Sequence, residues 1–186
     1  MSGKIRIIAG EWRGRKIEVP DKQGLRPTPN RVRETLFNWL AMYLPGSHCL
    51  DLFTGSGALG IEAASRGAKE VLLVEKNHDI VQNLKQQKFI FSNHNLNILH
   101  ADALQFLKGT PKAFDIVFLD PPFGQELLLP ACRLLEKGDW LTPQALIYLE
   151  TERDFDNLNL PHSWQIIRQK KLGQVNVFLA SRNNNC

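Results

Sequence analysis

Four acidic residues of this 186-residue chain stand where an apolar run gives way to strand-breaking residues: Asp51, Glu75, Asp102 and Asp120. The first opens Asp51-Leu-Phe-Thr-Gly55-Ser-Gly57-Ala-Leu-Gly60, a Gly-x-Gly-x-x-Gly turn between an apolar strand and an alanine-rich helix. Glycines at 55, 57 and 60 admit positive φ, let a ligand approach the backbone and bring the helix close to the sheet. Glu75 follows Gly55 by twenty residues, at the end of the next strand. From there an acidic side chain can hold a ribose diol, as in a dinucleotide-binding unit. These features alone leave a nicotinamide-dependent dehydrogenase open.

Charge separates the readings. A dinucleotide would set an anionic pyrophosphate at the helix start, where Asp51 already supplies a carboxylate, so a cationic ligand accounts for Asp51 better. S-adenosylmethionine fits, with a sulfonium, an ammonium, no phosphate and a ribose diol for Glu75. The expected cofactor set is Asp51, Phe53, Gly55, Ser56, Gly57, Glu75, Lys76, Asp102 and Ala103, with Asp102 accepting from the adenine amine. A helix cap is the plainer role for Asp102. Asp120-Pro121-Pro122-Phe123 follows the apolar run Ile116–Leu119 and is the expected catalytic turn. Its two prolines remove N–H donors and leave carbonyls. Asp120 and the Pro121 carbonyl could accept both hydrogens of an exocyclic amine while Phe123 stacks on its base. Glu150 and Glu152 read as solvated or structural carboxylates.

These residues need elements to carry them. Lys4–Ile8 and Lys16–Val19 alternate polar and apolar residues and predict a hairpin. Thr28 and Pro29 begin a helix to about residue 44, with Thr28 as its cap. Strands are expected at about 48–53, 70–75, 97–100, 115–120, 144–150, 164–171 and 174–181, and helices near 57–67, 77–91, 102–109 and 126–137. This alternation predicts an α/β, Rossmann-like fold: a seven-stranded, mostly parallel sheet with helices on both faces and an antiparallel C-terminal hairpin. Residues 1–25 form a basic N-terminal β-hairpin extension in this reading, and 26–186 the main domain.

Residues 1–33 hold nine Lys/Arg against three acids, a net +6, whereas the other 153 residues hold 14 against 16. A basic head on a nearly neutral body suits a polyanion. Arg31 and Arg33 fall in a first helical turn, where the dipole disfavours cations unless an anion is bound. Cys49, Cys132 and Cys186 form no CxxC pair and the five histidines show no ligand spacing, so neither a disulfide framework nor a metal site is expected. No apolar run approaches the roughly 20 residues of a membrane span, and a cytoplasmic monomer is expected.

Asp51-x-Phe-x-Gly-x-Gly, Glu75 and Asp-Pro-Pro-Phe together resemble the class I S-adenosylmethionine-dependent amino-methyltransferases. Arg26-Pro-Thr-Pro-Asn-Arg-Val-Arg-Glu-Thr-Leu-Phe-Asn38 narrows the resemblance to the bacterial RsmD family. The resemblance implies methylation of N2 of a guanine in 16S ribosomal RNA, within a small-subunit particle. Arg6, Arg13, Arg15, Lys16, Arg26, Thr28, Arg31 and Arg33 are then the expected RNA-binding residues. Asp-Pro-Pro-Phe is shared with DNA adenine methyltransferases, so a DNA or protein N-methyltransferase remains an alternative, as does a non-catalytic RNA-binding module.

Overall fold

Short apolar segments rich in Val, Leu, Ile and Phe, each closed by a turn, build the central sheet. The computed structural model describes residues 3–19, 28–91, 95–152 and 158–183, without the side chains of residues 89 and 90. Its elements are β1 (Gly3–Arg6), β2 (Lys16–Val19), α1 (Asn30–Trp39), β3 (His48–Asp51), α2 (Ala58–Ser65), β4 (Glu70–Glu75), α3 (His78–Phe91), β5 (Leu96–His100), α4 (Ala103–Phe106), β6 (Phe114–Leu119), α5 (Leu128–Lys137), β7 (Leu141–Thr151), β8 (Trp164–Leu172) and β9 (Val175–Arg182). Strand order in the large sheet is β5-β4-β3-β6-β7-β9-β8. β3, β4, β5, β6 and β7 pair in parallel, and β9 runs antiparallel to both β7 and β8. The chain leaves β3 toward β4 on one side and returns to β6 on the other. The crevice at their carboxyl ends is therefore the topological switch point where open α/β sheets bind ligands.

Period-two alternation divides the sheet's side chains between two apolar clusters. Cys49, Val71, Leu73, Ile116, Phe118, Leu146 and Tyr148 face α1, α2 and α3. Leu50, Leu72, Val74, Val117, Leu119, Ile147 and Leu149 face α4 and α5. α2 lies close to the sheet because Gly60 has no side chain: a Cβ there would come 2.2 Å from Leu73 Cδ2.

The expected elements are present with altered ends. β3 stops at Asp51 and β7 begins at Leu141, while the helix expected to reach residue 44 closes at Trp39. Thr28 does not cap it. Pro29 occupies the cap position, without a side-chain bond.

The N-terminal hairpin is joined to the larger sheet's core. Ile5, Ile7, Trp12, Ile17 and Val19 share the cluster of α1, α2 and α3, and Trp12 stacks on Phe91 at 5.0 Å. Glu62 of α2, fully buried, accepts from the N–H groups of Ile8 at 2.8 Å and Ala9 at 3.0 Å. A Cβ at Gly10 would lie 1.8 Å from the Ser65 carbonyl oxygen, so only glycine lets the hairpin approach α2 this closely. Among the described residues no helix is long and apolar enough to cross a membrane, and no group of three or more His, Cys, Asp or Glu could hold a metal ion.

Candidate active site

Strand register gathers the acids. Asp51 pairs with Phe118 and Leu73, and Leu119 pairs with Leu149, so Asp120 and Glu150 follow at the same level on neighbouring strands. Counting in twos from Cys49, Leu73, Phe118 and Tyr148, which share one face, places Asp51, Glu75, Asp120 and Glu150 on that face too. At about 3.3 Å per residue, Asp51 lies roughly 7 Å behind the level of Asp120 and Glu150. All four line one cavity of about 530 Å³ at the carboxyl end of the sheet, with Asp102 completing its acidic lining. Lys76 is its one cationic side chain among the described residues. A cavity with five carboxylates and one ammonium suits a cation and opposes a pyrophosphate.

Asp51 is buried and takes the Gly60 N–H on Oδ2 at 3.0 Å. Burial pushes its carboxyl up to about 7; the Gly60 hydrogen bond opposes that rise and the negative field of Glu75 adds to it. Glu75 accepts from Gly55 N at 2.9 Å and from Asn77 N at 2.7 Å, so it braces the glycine turn while facing the cavity. Asp102 caps α4, its Oδ1 accepting from Leu104 N and Gln105 N. Phe53, Gly55, Ser56, Lys76 and Ala103 also line the cavity. Gly57 is turned elsewhere. With φ +79° and a notional Cβ 2.6 Å from Leu84 Cδ2, it seats the start of α2 against α3.

At the other end of the cavity, Pro121, Pro122 and Phe123 line the wall beside Asp120, and Phe123 remains 37% exposed. Burial raises the Asp120 carboxyl well above the ordinary range, and the charges of Glu150 and Asp51 push it further. The Thr28 hydroxyl opposes this by donating to Asp120 Oδ2 at 3.2 Å. Thr28, expected on RNA, is thus buried against the Asp120 turn. Glu150, read from sequence as solvated or structural, is 4% exposed, lines the cavity and accepts the Tyr148 hydroxyl at 2.9 Å. Its signal was present: Tyr148 and Glu150 repeat the spacing of Phe118 and Asp120 on the adjacent strand.

Arg6, Arg13, Arg15, Lys16 and Arg31 are exposed, and Arg26 lies outside the described residues. Arg33 corrects the sequence expectation. Its guanidinium is fully buried, 3.5 Å from Glu62 Oε2, and donates to Asn30 Oδ1 at 2.7 Å and the Arg6 carbonyl at 2.9 Å. The cation in the first turn of α1 is answered by a carboxylate of α2, so Arg33 ties α1 to the hairpin and is closed to phosphate.

A family profile described as "Conserved hypothetical protein 95" matches residues 5–181. Ribosomal RNA small subunit methyltransferase D of Escherichia coli (strain K12) is 48% identical over 183 residues, covering 97% of this chain and 91% of its own. The protein of that name from Haemophilus influenzae is 47% identical over 181 residues, covering 95% and 93%. The solved structure of the putative methyltransferase yhhF from Escherichia coli superposes with a TM-score of 0.90 at 45% identity, covering 97% of this chain and 99% of its own.

Proposed function

The chain belongs to the family of the ribosomal RNA small subunit methyltransferase D proteins, and from that membership we propose that it transfers a methyl group from S-adenosylmethionine to the exocyclic N2 of a guanine in 16S ribosomal RNA. The observation that carries the reading is the carboxylate-lined cavity at the switch point, with a cation-suited end at Asp51 and an amine-suited end at Asp120. The donor set fits the cofactor: Asp51 faces its positive charge, Glu75 and the turn of residues 53–57 suit its ribose side, and Asp102 keeps Oδ2 for the adenine amine while Oδ1 caps α4. When bound, S-adenosylmethionine supplies a methyl already activated on a sulfonium, so the chain need provide no nucleophile of its own.

The chain's part is to orient the amine and receive its proton. Asp120 and the Pro121 carbonyl accept the two amine hydrogens and aim the nitrogen lone pair along the cavity. Phe123 covers one face of the base. A carboxyl held above its usual range is a stronger proton acceptor, so Asp120 can take the surplus proton once the nitrogen carries the methyl. The reaction takes place in the cytoplasm on a small-subunit particle, with residues 1–25 as an RNA-facing extension of the methyl-transfer domain formed by 26–186.

Small subunits from cells lacking this protein should accept labelled methyl from S-adenosylmethionine at one guanine, with N2-methylguanosine recovered on digestion. Duplex DNA and ribosomal protein should accept none. Label on adenine in DNA or on protein, with RNA unlabelled, would replace this reading by one of the alternatives.

The exposed cations of the hairpin and of α1 are assigned to the RNA backbone. Each phosphate neutralised steepens the salt dependence of binding by roughly 0.7 to 0.9 in log–log slope. Arg13→Ala with Arg15→Ala should therefore reduce that slope by about 1 to 2 in fluorescence titrations. An unchanged slope would remove the hairpin from the RNA interface.

A further inference from the structure

Asp-Pro-Pro-Phe describes how an amine is held, and adenine and guanine both carry one. Beside the amine their edges differ. Adenine presents N1 as an acceptor, whereas guanine presents N1–H as a donor next to its N2 hydrogens. A site for guanine therefore needs a second acceptor one atom along from the first.

Glu150 stands where that acceptor is needed. It lies near the end of β7 at the level of Asp120, on the same face of the sheet and in the wall of the same cavity. Its position is fixed from behind by the buried Tyr148, whose hydroxyl donates to Oε2 at 2.9 Å. Asp120 is fixed in the same manner by the Thr28 hydroxyl on its Oδ2 at 3.2 Å. Two side-chain acceptors, each held by a hydroxyl, thus face the cavity from adjacent strands. The repulsion between Asp120 and Glu150 that raises the Asp120 carboxyl bears on the same point, because two close carboxylates are relieved by hydrogen-bond donors or a shared proton.

We infer that Glu150 is a specificity-determining residue whose carboxylate accepts the guanine N1–H while Asp120 holds the N2 amine. The inference rests on the guanine-N2 reading above. Adenine, or any base with an unprotonated N1, sets a lone pair against the negative charge of the Glu150 carboxylate. Sites built to hydrogen-bond one edge reject the mismatched edge by large factors, on the order of 10³ or more.

The test uses small-subunit particles assembled with guanine or 2-aminopurine at the target nucleotide. 2-Aminopurine keeps the exocyclic amine at C2 but has no hydrogen on N1. The wild-type enzyme should methylate guanine on the order of 10³-fold faster. Glu150→Gln, which can turn either an acceptor or a donor toward N1, should lose rate on guanine and gain on 2-aminopurine, bringing the ratio within about tenfold. Equal loss on both bases, leaving the ratio unchanged, would overturn the inference. So would wild-type methylation of 2-aminopurine near the guanine rate, a result that needs no variant to fold. Failure of the guanine-N2 reading is distinct: wild-type enzyme would then leave the guanine particle unlabelled.

Discussion

Asp120→Ala will retain S-adenosylmethionine binding and lose methyl transfer, with kcat falling by at least on the order of 10³-fold. The amine of guanine is a poor nucleophile because its lone pair is conjugated with the ring, and a carboxylate accepting its hydrogens draws that pair back onto nitrogen. Without Asp120 the amine loses the carboxylate that accepts its hydrogens, and the surplus proton loses its nearest acceptor. Asp51 and Glu75 flank the other end of the cavity, so cofactor affinity measured by calorimetry should stay within a fewfold of wild type. The variant should remain folded, which a thermal melt checks, because Asp120 is held in a crowd of negative charge and removing it relieves that crowd. Against that relief stands the Thr28 hydroxyl, which would lose its acceptor. A variant turning over within tenfold of wild type would exclude Asp120 as the residue that holds the amine.

The sequence reveals this site wherever a local pattern determines the geometry. An apolar run closed by Asp-Pro-Pro, or by Asp and a glycine turn, fixes both the end of a strand and the direction of the turn beyond it, and Asp51, Glu75 and Asp120 line the cavity accordingly. It is silent where the outcome depends on partners far along the chain. Arg33 reads as an unanswered cation because Glu62, which answers it, lies 29 residues away on another helix. Thr28 reads as a cap because its acceptor, Asp120, is 92 residues distant. Glu150 acquires meaning only once β6 and β7 are known to be parallel neighbours in a register that aligns Leu119 with Leu149. Gly57 shows the reverse: its positive φ is legible in the glycine turn, but the packing of Leu84 decides what the bare Cα faces.

Asp51→Asn should make the ligand-free protein more stable and a weaker binder of S-adenosylmethionine, two effects with one origin. The buried carboxyl has been raised from its ordinary 3.8 to about 7, so the folded state binds its proton more tightly than the unfolded chain does. Stability from this group is therefore greatest below the unfolded pKa and declines as pH rises from about 4 to about 7, a loss of about 4 kcal/mol at neutral pH. Asparagine keeps an oxygen for the Gly60 N–H without the charge. Its thermal midpoint should exceed that of wild type by about 5 °C or more at pH 8, and the two should converge near pH 4. Binding runs the other way. A cation in the cavity favours ionised Asp51, so association with wild type below pH 7 releases a proton, and affinity should rise up to about tenfold per pH unit before levelling above 7. The asparagine variant, with no charge to offer, should bind on the order of 10²-fold more weakly at pH 8 and lose that dependence. Calorimetry at several pH values in buffers of different ionisation enthalpy measures the proton release directly. Equal affinity of the two proteins at pH 8, with the same proton count, would mean that the stability sacrificed at Asp51 serves something other than a cationic cofactor.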